Sequence, residues 1–482
     1  MPLLEPRLKI IGAAITIGGL VLLAAGCVHY EAKPLAPART ADALESRTLV
    51  DAGLRTFIET NAPDAGKVWP RGSWDLPGLA LVAFYYHPSL DVARAQLRLS
   101  EASIITAGGR PNPSVGFSSE YARNSGAGVS PWVLGLNFDL PIETAGKRGY
   151  RVTQARQLAE GARLEVAEMG WKVRSGVRAA LLELMFSQQE IELLQGEVTA
   201  RANIVHLMER RFAVGEISRT EVDAARTQWV QARVSHTAAE GRTQASRVAL
   251  ASALGLPPPA LDGVAFVWHD LDSLPDEQIM PAATVQTAGL LNRLDVRRAL
   301  AEYAALERAL QLEVARQYPD VHVQPGYTFD QGTRKFALGV AVELPLLNRN
   351  QGPIAEALAR REKAAADFVA LQARVIGELH QARAQYHAAL AEVTEIDTSL
   401  IEVQNRTEKL TQRAVELGEA DRLALASVQL QRQIVTRAQF DARHRAQIAL
   451  GALEDAMQHP LASAAPLSEI PSAIHRQTEE SK

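Results

Sequence analysis

Few residues of this chain are placed to do chemistry, and Cys27 is the clearest of them. It is the one cysteine among 482 residues, so the chain can form neither an internal disulfide nor a cysteine-based metal cluster. A basic start at Arg7 and Lys9 and an apolar run over 10–23 precede it. That order is typical of a secretory signal peptide over 1–26, which is cleaved before a cysteine whose thiol is then acylated.

The residues on either side of Cys27 bear on this interpretation. Ala24 stands where lipoprotein signals usually carry leucine, and Val28 stands where an aspartate would retain the protein at the inner membrane. The apolar run is shorter than the roughly 20 residues of a membrane-spanning helix. We therefore expect lipid attachment at Cys27 and an outer-membrane destination. The alternative is an N-terminal membrane anchor with an incidental cysteine.

The histidines and carboxylates carry no comparable signal. His380 and His387 lie two turns apart on a predicted helix, too far to share one ion, and no zinc-binding spacing accompanies them. His322 falls on the polar face of a predicted strand. No nucleophile–base pair or carboxylate couple stands out, so the sequence predicts no enzyme, no catalytic residue, no cofactor and no metal site. The net charge of −4 is too balanced to indicate a nucleic-acid partner.

Two pairs of segments alternate apolar and polar residues with the period of two that is typical of β-strands. In the last of them, Phe336, Leu338 and Val340 share one face, while Lys335 and Ala337 share the other. The predicted strands cover 114–121, 132–140, 320–330 and 335–344.

A junction and a very long helical pattern follow each strand pair. The junctions begin with Leu140-Pro141 and Leu344-Pro345, and the helices are predicted over 150–212 and 353–416. A helix of that length extends about 95 Å at ~1.5 Å per residue, more than a compact domain needs. The junction residues that we single out are Pro141, Gly146, Lys147, Arg148, Pro345, Asn348, Arg349, Gln351 and Gly352.

A tight turn ends each long helix and begins a return helix, over 219–254 and 421–457. Gly215 suits the left-handed position that closes a helix, and Ser218 with Glu221 forms a predicted capping box. The glutamates of the turns are either contacts for a partner or solvated turn residues. The turn residues are Val214, Gly215, Glu216, Ser218, Leu417, Gly418, Glu419 and Asp421.

These elements predict a duplicated chain with extensions at both ends. The predicted parts are a signal peptide (1–26), an arm after the lipidated cysteine (27–78), a first repeat (79–255), a linker (256–289), a second repeat (290–457) and a disordered tail (458–482).

The strand lengths point to a membrane β-barrel, because outer-membrane strands have about 9–11 residues. Four strands cannot close a barrel, and an open edge in lipid leaves backbone groups without partners. Three chains would supply twelve strands. The sequence therefore predicts a mainly α chain that contributes its strands to a membrane β-barrel shared by a homo-oligomer, with the long helices extending the barrel as a tunnel into the periplasm.

The duplicated order, the Leu-Pro junctions, the turns around Gly215 and Gly418 and the lipoprotein start resemble the TolC-like outer-membrane efflux proteins over residues 75–457. More narrowly, the segments 140–148 and 344–352 look like the cobalt–zinc–cadmium resistance branch of that family.

The resemblance implies a homotrimer whose 12-stranded β-barrel continues as a periplasmic α-helical barrel. It also implies the exit duct of a tripartite RND-type efflux system that exports divalent heavy-metal cations. Its partners would be a periplasmic adaptor, an inner-membrane RND transporter and outer-membrane lipid, and the turns would meet the adaptor. Some members of the family close the tunnel with aspartates, whose positions fall on Ala424 and Ser427 here. The acids available instead are Glu221, the candidate tunnel-gate acid, and Glu419 and Asp421 nearby.

Two alternatives remain open at the level of sequence. A duct of this kind also suits multidrug efflux or type I secretion, because a wide tunnel need not recognise its cargo. A lipid-anchored coiled-coil scaffold without a channel would explain the helices, although it gives no reason for the four alternating segments.

Overall fold

A computed structural model of the chain describes residues 29–62, 69–123, 128–268, 271–275, 289 and 291–461. The predicted signal peptide, Cys27 and most of the predicted tail lie outside these residues. The chain divides into two units, Met1–Ser46 and Arg47–Lys482. In the first unit, helix α1 (Pro37–Glu45) has no buried residue.

The large unit is mainly helical. Its helices are α2 (Ala52–Asn61), α3 (Leu76–Tyr86), α4 (Pro88–Gly108), α5 (Lys147–Ala213), α6 (Arg219–Leu254), α7 (Leu294–Ala315), α8 (Gln351–Glu395), α9 (Ile401–Glu416) and α10 (Arg422–Met457). Its strands are β1 (Ser73–Trp74), β2 (Ser114–Tyr121), β3 (Trp132–Ile142), β4 (Ala265–Phe266), β5 (Val321–Asp330) and β6 (Thr333–Val342). Helix, hairpin, long helix and return helix therefore follow one another twice.

The four longer strands form one antiparallel sheet in the order β2-β3-β5-β6, which leaves β2 and β6 as its edges. Phe117 pairs with Leu136, Leu136 with Tyr327, and Tyr327 with Phe336. Directly paired residues lie on the same side of a sheet, so these apolar side chains form one continuous face. The opposite face carries the polar residues, among them Asp139.

The last strand ends earlier than predicted. The prediction placed it over 335–344, whereas β6 covers Thr333–Val342. Its in-chain partner β5 begins at Val321, which pairs with Val342. Among the described residues no strand lies beside Leu344, and the alternating pattern alone did not reveal that.

The second long helix is interrupted, unlike α5, which runs for 67 residues without a break. The prediction placed one helix over 353–416, but α8 ends at Glu395 and a turn of π-helix over Ile396–Leu400 separates it from α9. Asp397 in this turn accepts a 2.6 Å hydrogen bond from Gln439 of α10. No proline or glycine marks the interruption in the sequence.

The predicted arm over 27–78 is also shorter than expected, since the chain joins the large unit at Arg47. Leu54 and Ile58 of α2 are fully buried in the core that α3, α5 and α6 share. Trp74 of β1 is buried as well, and β1 pairs in parallel with β4 of the predicted linker. The prolines between these residues made the segment look irregular, but its apolar residues pack.

A buried polar cluster joins the two halves of the chain. Arg178 of α5 lies 3.2 Å from Glu454 of α10, and both side chains are almost inaccessible to solvent. The neighbouring Asp455 accepts hydrogen bonds from Trp171 (3.0 Å) and Ser175 (2.6 Å). Burial raises the pKa of Asp455, and these two hydrogen bonds oppose that rise. The first long helix is thus fixed to the last return helix.

Within the described ranges, no helix combines the length and the apolar character needed to cross a membrane.

Candidate functional site

The turn between α5 and α6, called the first turn, has the backbone geometry that its residues predicted. Gly215 has a φ of 81°, and the next backbone N–H, of Glu216, donates to the Arg211 carbonyl at 2.9 Å. Ser218 caps α6: its hydroxyl accepts from the Glu221 N–H, and the Glu221 carboxylate accepts from the Ser218 N–H at 2.7 Å. The turn is therefore held by its own backbone and caps.

The second turn repeats this geometry with different residues. Gly418 has a φ of 76°, and the N–H of Glu419 donates to the Ala414 carbonyl at 2.8 Å. Asp421 takes the place of Ser218, and its carboxylate accepts from the Ala424 N–H at 2.7 Å. Both turns thus begin their return helices with a side-chain cap.

The two turns lie side by side. The Arg211 guanidinium, at the end of α5, donates to the Asp421 carboxylate of the second turn and lies 3.8 Å from Glu216 of its own turn. Val214 is 72% exposed and Leu417 is 74% exposed. The two turns together form a tip that exposes two apolar side chains and also carries the charged residues Arg211, Glu216 and Asp421, a combination suited to contact with another protein.

Glu221, the candidate gate acid, forms its hydrogen bonds within its own turn, to Ser218. The backbone N–H of Ser218, and secondarily its hydroxyl, lower the pKa of the Glu221 carboxyl. The group therefore stays ionised well below neutral pH, while both hydrogen bonds hold it against the N-terminus of α6.

The first strand–helix junction contains a partly buried ion pair. Gly146, with a φ of 70°, precedes α5. Next to it, Lys147 is buried, and its Nζ lies 2.8 Å from Asp320, which also accepts the Thr144 N–H at 2.9 Å. Arg148 donates to the Gly108 carbonyl at 2.7 Å. This junction ties the first hairpin to the segment entering the second.

The second junction lacks that ion pair. Asn350 takes the left-handed position, with a φ of 60°, and its side-chain amide donates to the Glu313 carbonyl at 2.8 Å. Asn348 accepts the Asn350 N–H, and Gln351 accepts the Arg349 N–H. Of the other predicted residues of the second junction, Pro345 is half-buried and Gly352 is exposed. In the first junction, Pro141 pairs with His322 in the sheet.

Sequence reasoning missed Asp320, which organises the first junction. It lies 173 positions from Lys147, and a carboxylate just before a strand carries no local signal of a distant partner. It also missed Glu143, which forms a two-pronged contact with Arg151 of α5. An acid and a base eight residues apart across a strand end are too common to single out.

The polar face of the sheet brings His322 next to an acid. Its Nδ1 lies 3.0 Å from both carboxylate oxygens of Asp139, and Gln324 donates to the same carboxylate at 3.3 Å. The described residues contain no group of three or more histidine, cysteine, aspartate or glutamate side chains arranged to hold a metal ion. On this face, His322 and Gln324 both contact the Asp139 carboxylate.

Comparison with known proteins identifies the fold. The family model described as "Outer membrane efflux protein" matches residues 83–256. Over this segment the chain is similar to the outer membrane efflux proteins. VceC, an outer membrane protein from Vibrio cholerae, superposes with a TM-score of 0.64 at 21% identity, over 80% of this chain and 96% of VceC. CusC, whose structures describe transmembrane channel formation, gives a TM-score of 0.64 at 14% identity, over 82% and 94% of the two chains.

A named relative is similar to the chain over a longer segment. The cobalt-zinc-cadmium resistance protein CzcC of Cupriavidus metallidurans is 28% identical over 284 residues, which make up 58% of this chain. The match spans 65% of the length of CzcC. The predicted TolC-like resemblance, with its cobalt–zinc–cadmium branch, is confirmed by these matches.

Proposed function

We propose that the chain is the outer-membrane exit duct of a tripartite efflux system and has no catalytic role. The four-stranded sheet is the main observation that supports this proposal. One of its faces is apolar and exposed, and its edge strands β2 and β6 each pair with a single strand among the described residues. Strands β3 and β6 are followed by the long helices α5 and α8, and α5 is about 100 Å long at ~1.5 Å per residue.

Three copies would remove the open edges. Four strands from each chain give twelve, enough for a closed barrel with the apolar face toward lipid. The polar face, with Asp139 and His322, would then line a water-filled lumen. The long helices would continue that lumen as a tunnel into the periplasm. The wide, polar wall favours passage over tight binding.

The tip formed by the two turns is the proposed docking site for a periplasmic adaptor, which would connect the duct to an inner-membrane RND transporter. Val214 and Leu417 supply apolar contacts, and Glu216 and Glu419 supply charge at the rim. A gate at this end would involve the Arg211–Asp421 contact, which joins the two turns, and Glu221 behind it.

The proposed cargo is divalent heavy-metal cations of the cobalt, zinc and cadmium class. The named function of CzcC and the two junction segments, 140–148 and 344–352, support this choice. Export of drugs or secretion of proteins would use the same duct with a different pump, so cargo is tested through cellular resistance.

Lipid attachment at Cys27 would add a second membrane contact to the barrel. A variant without this lipid distinguishes a membrane-spanning duct from a lipid-anchored scaffold. In the Cys27→Ser variant, palmitate labelling should be lost and less protein should reach the outer membrane. The protein that does arrive should resist extraction by urea, because a barrel stays in the bilayer without its lipid. A scaffold held only by lipid would be extracted, and that result would contradict the proposal.

A further inference from the structure

The two open edges of the sheet are complementary to each other, and the internal duplication specifies how they fit. This inference rests on the homotrimeric barrel proposed above and goes further, to the pairing of individual residues. Within one chain, β3 of the first repeat pairs with β5 of the second. In a ring of copies, β6 of one chain would meet β2 of the next in the same structural context.

The correspondence between repeats follows from motifs and registers. Leu140-Pro141 and Leu344-Pro345 relate β3 to β6 by 204 positions (344 − 140). Gly146 and Asn350, which precede the two long helices with the same left-handed backbone, give the same difference (350 − 146). The two hairpins can therefore be superposed residue by residue.

The hairpin registers then relate β2 to β5. Val115 pairs with Phe138, and Val321 pairs with Val342. Phe138 corresponds to Val342 by the difference of 204 (342 − 138), so Val115 corresponds to Val321, a difference of 206 (321 − 115). The extra two positions reflect the different lengths of the hairpin loops.

We propose that β6 of one copy pairs with β2 of the next in the antiparallel register that transfers from the β3–β5 pair. Leu136 pairs with Tyr327, Leu140 with Val323, and Ile142 with Val321 inside the chain. The corresponding pairs between copies are Val340 with Tyr121, Leu344 with Phe117, and Leu346 with Val115.

The side chains of these residues agree with that register. A register displaced by one residue would place apolar side chains opposite polar ones on the two faces. Val115, Phe117, Tyr121 and Val340 lie on the apolar sides of their strands, and Leu344 and Leu346 continue the same alternation beyond the end of β6. All six are between 61% and 73% exposed within one chain, whereas Leu140 and Ile142, whose strand has neighbours on both sides, are 45% and 46% exposed.

The early end of β6 supports the same register. β2 begins at Ser114, which pairs with Asp139 of β3. β3 nevertheless continues to Ile142, because β5 pairs with it there. β6 ends at Val342, which pairs with Val321, the first residue of β5, and the segment after it is not a strand. A second copy of β2 in the proposed register would extend β6 to Leu346, the counterpart of Ile142.

Cysteine cross-linking of the full-length protein in membranes tests this register. Residues paired across an antiparallel ladder have Cα atoms about 4.5–5.5 Å apart, within the range of a disulfide, whereas positions displaced by two residues are about 7–8 Å apart. The double variant Val340→Cys with Tyr121→Cys should form a covalently linked trimer under mild oxidation. The displaced variant, Val340→Cys with Ser119→Cys, should not.

Matched controls accompany these variants. Leu136→Cys with Tyr327→Cys is the in-chain counterpart and should form an internal disulfide, detected by mass spectrometry of its peptides. Each single variant controls for disulfides to Cys27. A trimer whose in-register pair fails to cross-link, or whose displaced pair cross-links instead, overturns the register and leaves the proposed duct intact. A chain that is monomeric by size and forms no cross-link between copies overturns both.

Discussion

The Lys147–Asp320 ion pair shows how a single contact positions the strand–helix junction. Burial would raise the pKa of Asp320, but hydrogen bonds from Lys147 and Thr144, together with the Lys147 charge, hold it below its ordinary value. A carboxyl whose pKa is lower in the folded state stabilises that state above the unfolded pKa, about 3.9. The stabilisation is lost as pH falls through the folded pKa.

Asp320→Asn should therefore destabilise the protein at pH 7 by about 0.5–1 kcal/mol, the range for a partly exposed pair. The difference from wild type should shrink as the pH falls below ~3.9. Thermal unfolding at pH 7, 5, 4 and 3 measures it. Asp367→Asn removes an exposed pair with Lys363, at 2.6 Å, and is the matched control that should change little. A deficit for Asp320→Asn that persists unchanged at pH 3 would contradict this assignment.

At the scale of elements, the two faces of the sheet make opposite predictions for the same substitution. Leu338 lies on the apolar face opposite Pro325, and Ala337 lies on the polar face opposite Gly326. Leu338→Arg places a charge toward lipid and should cost about 2–4 kcal/mol near the bilayer midplane. Ala337→Arg places the same charge in the lumen and should be tolerated.

Trimer yield and the temperature of trimer dissociation would compare these two variants. The two neighbouring positions share a strand and occupy opposite faces of the sheet. Equal stability of the two variants, or a larger loss for Ala337→Arg, would show that the facing of the strands is inverted or that lipid does not surround them.

The second turn makes another element-scale prediction. A Cβ at Gly418 would meet no atom within 4 Å, so the demand for glycine there comes from its φ of 76° alone. Valine in that region should cost about 1–2 kcal/mol and displace the turn, including Asp421 beside Arg211. Gly418→Val should reduce pump-dependent resistance at a normal trimer level.

Gly352→Val is the control for that substitution, since Gly352 is equally open but has an ordinary φ. It should retain resistance. Full resistance of the Gly418→Val strain would argue that the shape of this turn is not needed for docking.

The elements also show what the sequence could reveal. β2 lies over the predicted 114–121, because alternation records which residues face one side of a sheet. The end of β6 and the π-turn at Ile396–Leu400 depend on a missing strand partner and on packing against α10, neither of which alternation records. Within the candidate site, the caps at Ser218 and Asp421 were readable from local spacing. The Lys147–Asp320 pair was not, because its members are distant in the chain.

At the scale of the whole molecule, the proposed homotrimer accounts for both the long helices and the open edges of the sheet. One chain leaves the apolar face of the sheet exposed, with Phe336 at 83% and Leu338 at 74%. Such a surface is unfavourable in water and is suited to lipid. The helix pairs project the two turns away from this surface, where another protein can reach them.

The proposed role of the chain as the exit duct of a metal-efflux system is tested most directly by cellular resistance. The gene would be deleted in a strain that lacks other outer-membrane efflux proteins but retains the pump and adaptor genes. We expect hypersensitivity to zinc, cobalt and cadmium, with unchanged susceptibility to dyes and antibiotics, and restoration by the wild-type gene. Hypersensitivity to dyes and antibiotics alone would contradict the metal cargo, and unchanged resistance to both groups would contradict the duct itself.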